Sequence, residues 1–174
     1  MQARSWLEAY PNEWYGITRQ WVEEFTANWF DDLAIARFAD MIGGTTASPD
    51  SYRRVAERDG KVVGFVFAFR HSPDEVEIRA LYCDPAVFGT GVGAELMASA
   101  MDWAGPAPAW LNVTPYNERA IRFYRRFGFH EVAGSEHLIN VMAGTDFSGH
   151  PGTRDGLALN LNALPVILME HEAQ

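Results

Sequence analysis

Between Phe88 and Ala94 the chain reads Phe-Gly-Thr-Gly-Val-Gly-Ala, just ahead of a segment with helical periodicity. Backbone N–H groups at a helix start point at whatever lies before it, and the helix dipole adds positive potential, so such a turn can cradle a phosphate. Glycine suits it because no side chain holds an anion away from the amides and because left-handed backbone carries no penalty there. A plainer reading stays open: the glycines only make a tight turn and let the helix pack closely on a sheet. Gly89, Gly91 and Ala94 also satisfy the dinucleotide pattern G-x-G-x-x-A, which would imply a nicotinamide or flavin. That site needs an acidic residue ~20 positions further on, at the end of the next strand. The candidate strand, 109–114, reads Ala-Trp-Leu-Asn-Val-Thr and carries no carboxylate. A Walker phosphate loop is excluded because Gly-Lys-Ser/Thr does not occur. Cys83 is the sole cysteine. An acyl-carrying thiol can be considered there, but no histidine lies near it in sequence and a small buried strand residue is the plainer assignment.

Turn chemistry and periodicity give the elements that must hold these residues. A short helix runs from Ser5 to Tyr10, stopped by Pro11, and Thr18 caps a second through Thr26. Trp14, Ile17, Trp21, Phe25 and Trp29 recur at helical spacing as one apolar stripe. A third helix, Asp31 to Ile42, begins on two acids and stops at Gly43-Gly44. Tyr52 to Arg58 and Lys61 to His71 are strands joined by Asp59-Gly60, a hairpin signal. The second is apolar on both alternating sets, so it is central and covered on both faces. Ser72-Pro73-Asp74 turns into a third strand, Glu75 to Cys83. A helix from Gly91 to Trp103 and a strand at Ala109 to Thr114 then make a parallel crossover. A helix from Asn117 to Phe127 ends at Gly128, and a strand runs from Phe129 to about Leu138. Residues 143–163 hold four glycines and a proline and read as a mobile surface loop, with a last strand within 164–171. The expectation is one α+β domain over 1–174, layered α/β/α, with a mixed and mostly antiparallel sheet of about six strands.

Composition narrows the partners. At 174 residues and 48 % apolar content the chain can build one real core. Its 14 basic and 23 acidic residues, a net of -9, argue against nucleic acid or an anionic membrane and favour a cationic ligand. No apolar stretch approaches the ~20 residues needed to span a bilayer, and the first residues lack a secretory h-region. A cytoplasmic location is expected. A single cysteine leaves no disulfide and no Cys-rich metal site, and no metal is expected.

Two linked motifs resemble the GNAT superfamily of N-acetyltransferases. The first is Leu81-Tyr82-Cys83-Asp84-Pro85 followed by Phe88-Gly89-Thr90-Gly91-Val92-Gly93; the second comprises Val113, Asn117, Ala120, Phe123, Tyr124, Gly128 and Phe129. The resemblance covers 52–138 and implies a GNAT-like sheet with a parallel strand pair around a site for acetyl-CoA. It implies that the backbone of Leu81, Tyr82 and Cys83 lines the pantetheine arm and that Phe88, Gly89, Thr90, Gly91, Val92, Gly93 and Ala94 surround the diphosphate. It places Asn117 against the pantetheine or the reacting centre and puts Tyr124 at the general acid, where a phenol of reference pKa ~10 can protonate a departing thiolate. The alternative for Tyr124 is an amphipathic core tyrosine. Glu77 resembles the family carboxylates that deprotonate the acceptor through water; an ion pair with Arg79 or Arg70, or a solvated strand face, is its alternative.

The departures from the family are specific. Phe88 stands where the family carries Gln or Arg, so Arg119, Arg122, Arg125 or Arg126 would have to compensate, unless they form a solvated helix face. Asn112 stands where ribosomal-protein alanine acetyltransferases place a glutamate base, and the family's opening strand is not found ahead of the first helix. Residues 1–50 carry eight acids against Arg4, Arg19 and Arg37. In the family these helices and the loop before the last strand shape the acceptor pocket. Tyr10, Trp14 and Glu24 are therefore expected to receive a cationic amine through ion pairing and cation–π contact, unless the stripe is core and the acids are solvated. The expected activity is N-acetylation of a small-molecule amine or polyamine. Peptide N-terminal or lysine acetylation and a non-catalytic coenzyme A module are the alternatives, and a homodimer stays open.

Overall fold

The computed structural model describes residues 1–27, 48–140 and 163–172. The expected helix at Asp31–Ile42, Trp29 and residues 143–162 of the expected loop lie outside them. Strands β1 (Ser51–Arg58) and β2 (Lys61–Ser72) form the expected hairpin. Asp59 and Gly60 both take left-handed backbone, φ 53° and 71°, as a two-residue turn matched to strand twist requires. β3 (Glu75–Cys83) adds antiparallel to β2. Helix α3 (Val92–Ala104) then crosses over to β4 (Ala109–Val113), which lies parallel to β3. Helix α4 (Glu118–Arg125) leads to β5 (His130–Glu131) and β6 (His137–Asn140), and β7 (Ala163–His171) returns antiparallel to β4. The described sheet has seven strands in the order β1-β2-β3-β4-β7-β5, with β6 also on β7.

Seven strands replace the expected six because the run after Phe129 breaks in two. Gly134 turns left-handed at φ 73°. The Ser135 hydroxyl accepts from Leu168 N at 2.9 Å, a ladder donor that a continuous strand would have taken. β5 and β6 therefore pair with different stretches of β7.

α3 covers one sheet face. Its Leu96, Met97, Ala100 and Ala104 pack on Val66, Ala68, Val76, Ile78 and Leu111, all buried. Each large apolar side chain so enclosed contributes roughly 1.5–3 kcal/mol. Gly64 permits the approach: a Cβ there would lie 3.0 Å from Leu96 Cδ1 and 3.1 Å from Tyr82 O.

Helices α1 (Gln2–Ala9) and α2 (Arg19–Ala27) form a second cluster, with Trp6, Ile17, Val22 and Leu164 buried and Tyr10, Tyr82 and Tyr116 packed against them. Thr18 caps α2 as expected, accepting from Trp21 N at 3.0 Å. The expected stripe does not hold as one helix face. Asn12 caps a 3-10 turn at Glu13–Tyr15, Gly16 ends it at φ 70°, and Asn12 bridges to Ile17. Trp14 sits on that turn at 90 % exposure, whereas Trp21 and Phe25 stack on α2 at 5.1 Å.

Candidate active site

β3 is hydrogen-bonded along its length to β2 but meets β4 only at Val76↔Ala109 and Glu77↔Trp110. β4 continues instead on β7, through Val113↔Ile167. From Ile78 onward, one edge of β3 has no strand partner among the described residues. A bulge accompanies the divergence: Phe67 faces Ala80 and Ala68 faces Ile78, so Arg79 is an extra residue on β3. An extra residue bends its strand and raises the local twist, and the parallel pair opens into a V. The open edge runs through Leu81, Tyr82 and Cys83 toward the glycine turn.

Asp84 follows Cys83. Its buried carboxylate accepts from Ala86 N at 3.0 Å, capping a 3-10 turn at Pro85–Val87, and also pairs with Arg4 of α1. Gly89 and Gly91 take φ of 75° and 96°, which explains two of the glycines. At Gly93 a Cβ would meet Cys83 Sγ at 3.5 Å and Phe123 at 3.6 Å, ordinary van der Waals distances. The tight-turn reading therefore holds at Gly89 and Gly91. Thr90 directs its hydroxyl to Val87 O at 2.8 Å. Gly91 is the N-cap of α3 and supplies no side-chain bond. The amides of Gly89, Gly91, Val92, Gly93 and Ala94 have no backbone acceptor among the described residues, and the first helical bond, from Glu95 N to Gly91 O, comes after them. Converging unpaired donors at a helix start fit a diphosphate.

Phenols gather where β3, α1 and α4 meet. The Tyr10 and Tyr82 hydroxyls lie 3.2 Å apart, and Tyr116 donates to Tyr10 O at 2.9 Å. Tyr124 on α4 packs edge-on to Phe123, with ring centroids 5.3 Å apart. Burial pushes its phenol well above the ordinary value, and the neighbouring Tyr82 and Cys83 push further the same way. Burial also raises Tyr10, Tyr82 and Tyr116. The Tyr124 hydroxyl has no hydrogen-bond partner among the described residues, so a protonated donor faces the Tyr82–Cys83 end of β3. Burial raises Cys83 as well, against a smaller opposite pull from Arg119. A thiol kept protonated is a poor nucleophile, in keeping with its assignment as a strand residue.

Glu77 is the last β3 residue paired to β4, two positions before the bulge. Its Oε2 accepts from Arg79 Nε at 2.8 Å and lies 2.9 Å from His71 Nε2. His71 stacks on Trp110 with centroids 5.8 Å apart. The sequence reading missed His71 because its contact with Glu77 depends on the β2–β3 register. Asn117 caps α4, its Oδ1 accepting from Ala120 N at 3.1 Å, so that oxygen already has a structural use. Tyr10 joins the phenol cluster. Trp14 and Glu24 do not: Trp14 faces solvent and Glu24 bonds Gln20 at 2.8 Å. Of the four arginines considered for the glycine turn, Arg122 pairs with Glu118 and Arg125 with Glu131. Arg126 lies over Phe123 at 5.5 Å, and Arg119 lies over the Phe88 ring at 3.7 Å.

Residues 11–129 match the Acetyltransferase (GNAT) family. An uncharacterised N-acetyltransferase of Mycobacterium tuberculosis is 38 % identical over 111 residues, 61 % of this chain and 68 % of that protein. Nourseothricin acetyltransferase, a solved structure, is 27 % identical with a TM-score of 0.52, covering 72 % of this chain and 67 % of its own. The PaiA N-acetyltransferase of Thermoplasma acidophilum, solved with coenzyme A, superimposes with a TM-score of 0.57 over 98 % of this chain and 87 % of its own. At 18 % identity that last likeness speaks to the fold.

Proposed function

The chain belongs to the GNAT acetyltransferase family, and from that premise we propose that this N-acetyltransferase moves the acetyl group of acetyl-CoA to the primary amine of a small cationic acceptor. The observation that carries the reading is the open edge of β3, which leads from the V with β4 into the unpaired amides of the glycine turn. Pantetheine contains two amide groups, so it can pair with a free strand edge as a peptide would. Leu81, Tyr82 and Cys83 offer that edge, and Gly89 and Gly91 through Ala94 offer donors for the diphosphate.

An alkyl ammonium with pKa ~10.4 is almost wholly protonated at neutral pH and must lose a proton before nitrogen attacks. Glu77 accepts that proton through water, held in place by Arg79 and His71. Main-chain amides at the bulge stabilise the oxygen that gains charge as the C–N bond forms. As the C–S bond breaks, Tyr124 donates its proton to the departing sulfur. Glu8, Glu13, Glu23 and Glu24 are solvent-exposed on the α1–α2 side and give it a negative field that draws cations.

The test is to incubate the chain with acetyl-CoA and spermidine, lysine or a peptide with an N-terminal alanine, and follow free thiol. Release with spermidine is expected. Release with the peptide alone would move the acceptor class to peptide amines. Saturable coenzyme A binding without any release would favour a non-catalytic module.

A further inference from the structure

Arg119 sits on the outer face of α4, exposed to solvent, yet its guanidinium lies 3.7 Å above the ring of Phe88, the first residue of the glycine turn. Two neighbouring arginines are neutralised, Arg122 by Glu118 at 2.9 Å and Arg125 by Glu131 at 2.8 Å. Arg119 has no ion pair or hydrogen bond among the described residues, although this is an acidic chain with 23 carboxylates. Its five N–H donors are therefore available to an anionic ligand. The same arginine helps line an open cleft of about 490 Å³ with Arg122, Phe123, Arg125 and Arg126. Phe123 also meets the turn from that side, since it would touch a Cβ at Gly93. A cationic cleft thus adjoins the unpaired amides of Gly89 and Gly91 through Ala94.

We propose that Arg119 is the side-chain clamp on the diphosphate of the nucleotide thioester and that Phe88 is a positioning residue that holds it there. This rests on the acetyl-CoA reading above. A diphosphate carries more charge than five neutral amides can match, and a guanidinium supplies two parallel donors to its oxygens. An unpaired arginine on a helix samples many rotamers. Stacking on Phe88 removes most of that freedom before the ligand arrives, which reduces the entropy lost on binding.

Isothermal titration of the full chain with coenzyme A and with dephospho-coenzyme A, which keeps the diphosphate and lacks the 3′-phosphate, tests the assignment in Arg119→Ala, Phe88→Leu and the double variant. Arg119→Ala is expected to weaken both ligands equally, by about 10- to 100-fold, the range for a hydrogen bond to a charged group. Phe88→Leu is expected to weaken both by about two- to fivefold, the worth of an exposed cation–π contact. In the Arg119→Ala background Phe88→Leu is expected to have no further effect, and unliganded melting temperatures should stay together. Unchanged affinity in Arg119→Ala overturns the clamp. So does a loss seen with coenzyme A but not with dephospho-coenzyme A, which would put the arginine on the 3′-phosphate. A Phe88→Leu loss that persists without Arg119 overturns the positioning role. If the unaltered chain binds neither ligand, the acetyl-CoA reading itself fails.

Discussion

Tyr124→Phe separates a catalytic phenol from a packing one. The ring packs against Phe123 and Phe129, with centroids at 5.3 and 6.2 Å, and phenylalanine keeps those contacts. Because the hydroxyl bonds to nothing among the described residues, its removal orphans no buried partner, and stability should move by less than about 1 kcal/mol. In the proposed reaction the same hydroxyl meets a sulfur that is becoming anionic. A hydrogen bond to a charged group contributes about 1.5–3 kcal/mol, and general acid catalysis about 10²–10⁴-fold. The expected loss in kcat is thus at least about 10²-fold, with the coenzyme A Kd unchanged within about twofold. Thiol release at saturating acetyl-CoA gives the first quantity, isothermal titration the second and a thermal melt the third. Burial keeps the phenol protonated, so the donor persists through the neutral and mildly alkaline range and Tyr124 sets no alkaline limb below about pH 10. Turnover unchanged in the variant, or a rate loss matched by an equal loss of melting temperature, would refute the acid assignment.

Glu77→Gln preserves shape and removes the proposed proton acceptor; kcat should fall by about 10² or more. A normal rate with a lowered melting temperature would leave Glu77 only as the partner of Arg79 and His71. Gly64→Ala forces a Cβ to within about 3 Å of Leu96 and the Tyr82 carbonyl and should cost about 1–3 kcal/mol in urea unfolding; an unaltered midpoint would mean that α3 and β3 can part freely. Tyr10, Tyr82, Tyr116 and Tyr124 are all raised in the fold, while unfolded phenols ionise near pH ~10. Above that pH the native state binds more protons than the unfolded one. Stability is therefore intact below about pH 10 and declines above it by up to ~1.4 kcal/mol per pH unit for each phenol. Urea midpoints from pH 8 to 11, read beside absorbance at 295 nm, check this, and a flat midpoint would contradict it.

Features set by a few adjacent residues were legible in the sequence. Asp59-Gly60, the Thr18 cap and the left-handed turn at Gly128 (φ 83°) depend on local backbone chemistry alone. Gly16 and Gly134 carried the same kind of signal. Their φ of 70° and 73° break a helix stripe and a strand that hydrophobic spacing had suggested were continuous. The V between β3 and β4 and the bulge at Arg79 depend on which residue faces which across three strands, and no spacing within one segment encodes that register. Long-range contacts were equally hidden. The basic residues of α4 were visible as candidates, but only tertiary packing distinguishes Arg119 on Phe88 from Arg122 and Arg125 in their ion pairs. Asn117 shows the converse: its position in the motif was plain, while its capping bond to Ala120 N emerges from the helix it starts.

Among the described residues four helical starts bring their own side-chain oxygen, from Asn12, Thr18, Asp84 and Asn117, whereas α3 begins on Gly91 with none. That helix is left chemically unfinished. An anion settling on it completes a secondary-structure element as well as occupying a pocket, so ligand affinity and the solidity of the first turn of α3 become one quantity. Slower deuterium uptake at Val92, Gly93 and Ala94 in the presence of coenzyme A would be the signature of that completion.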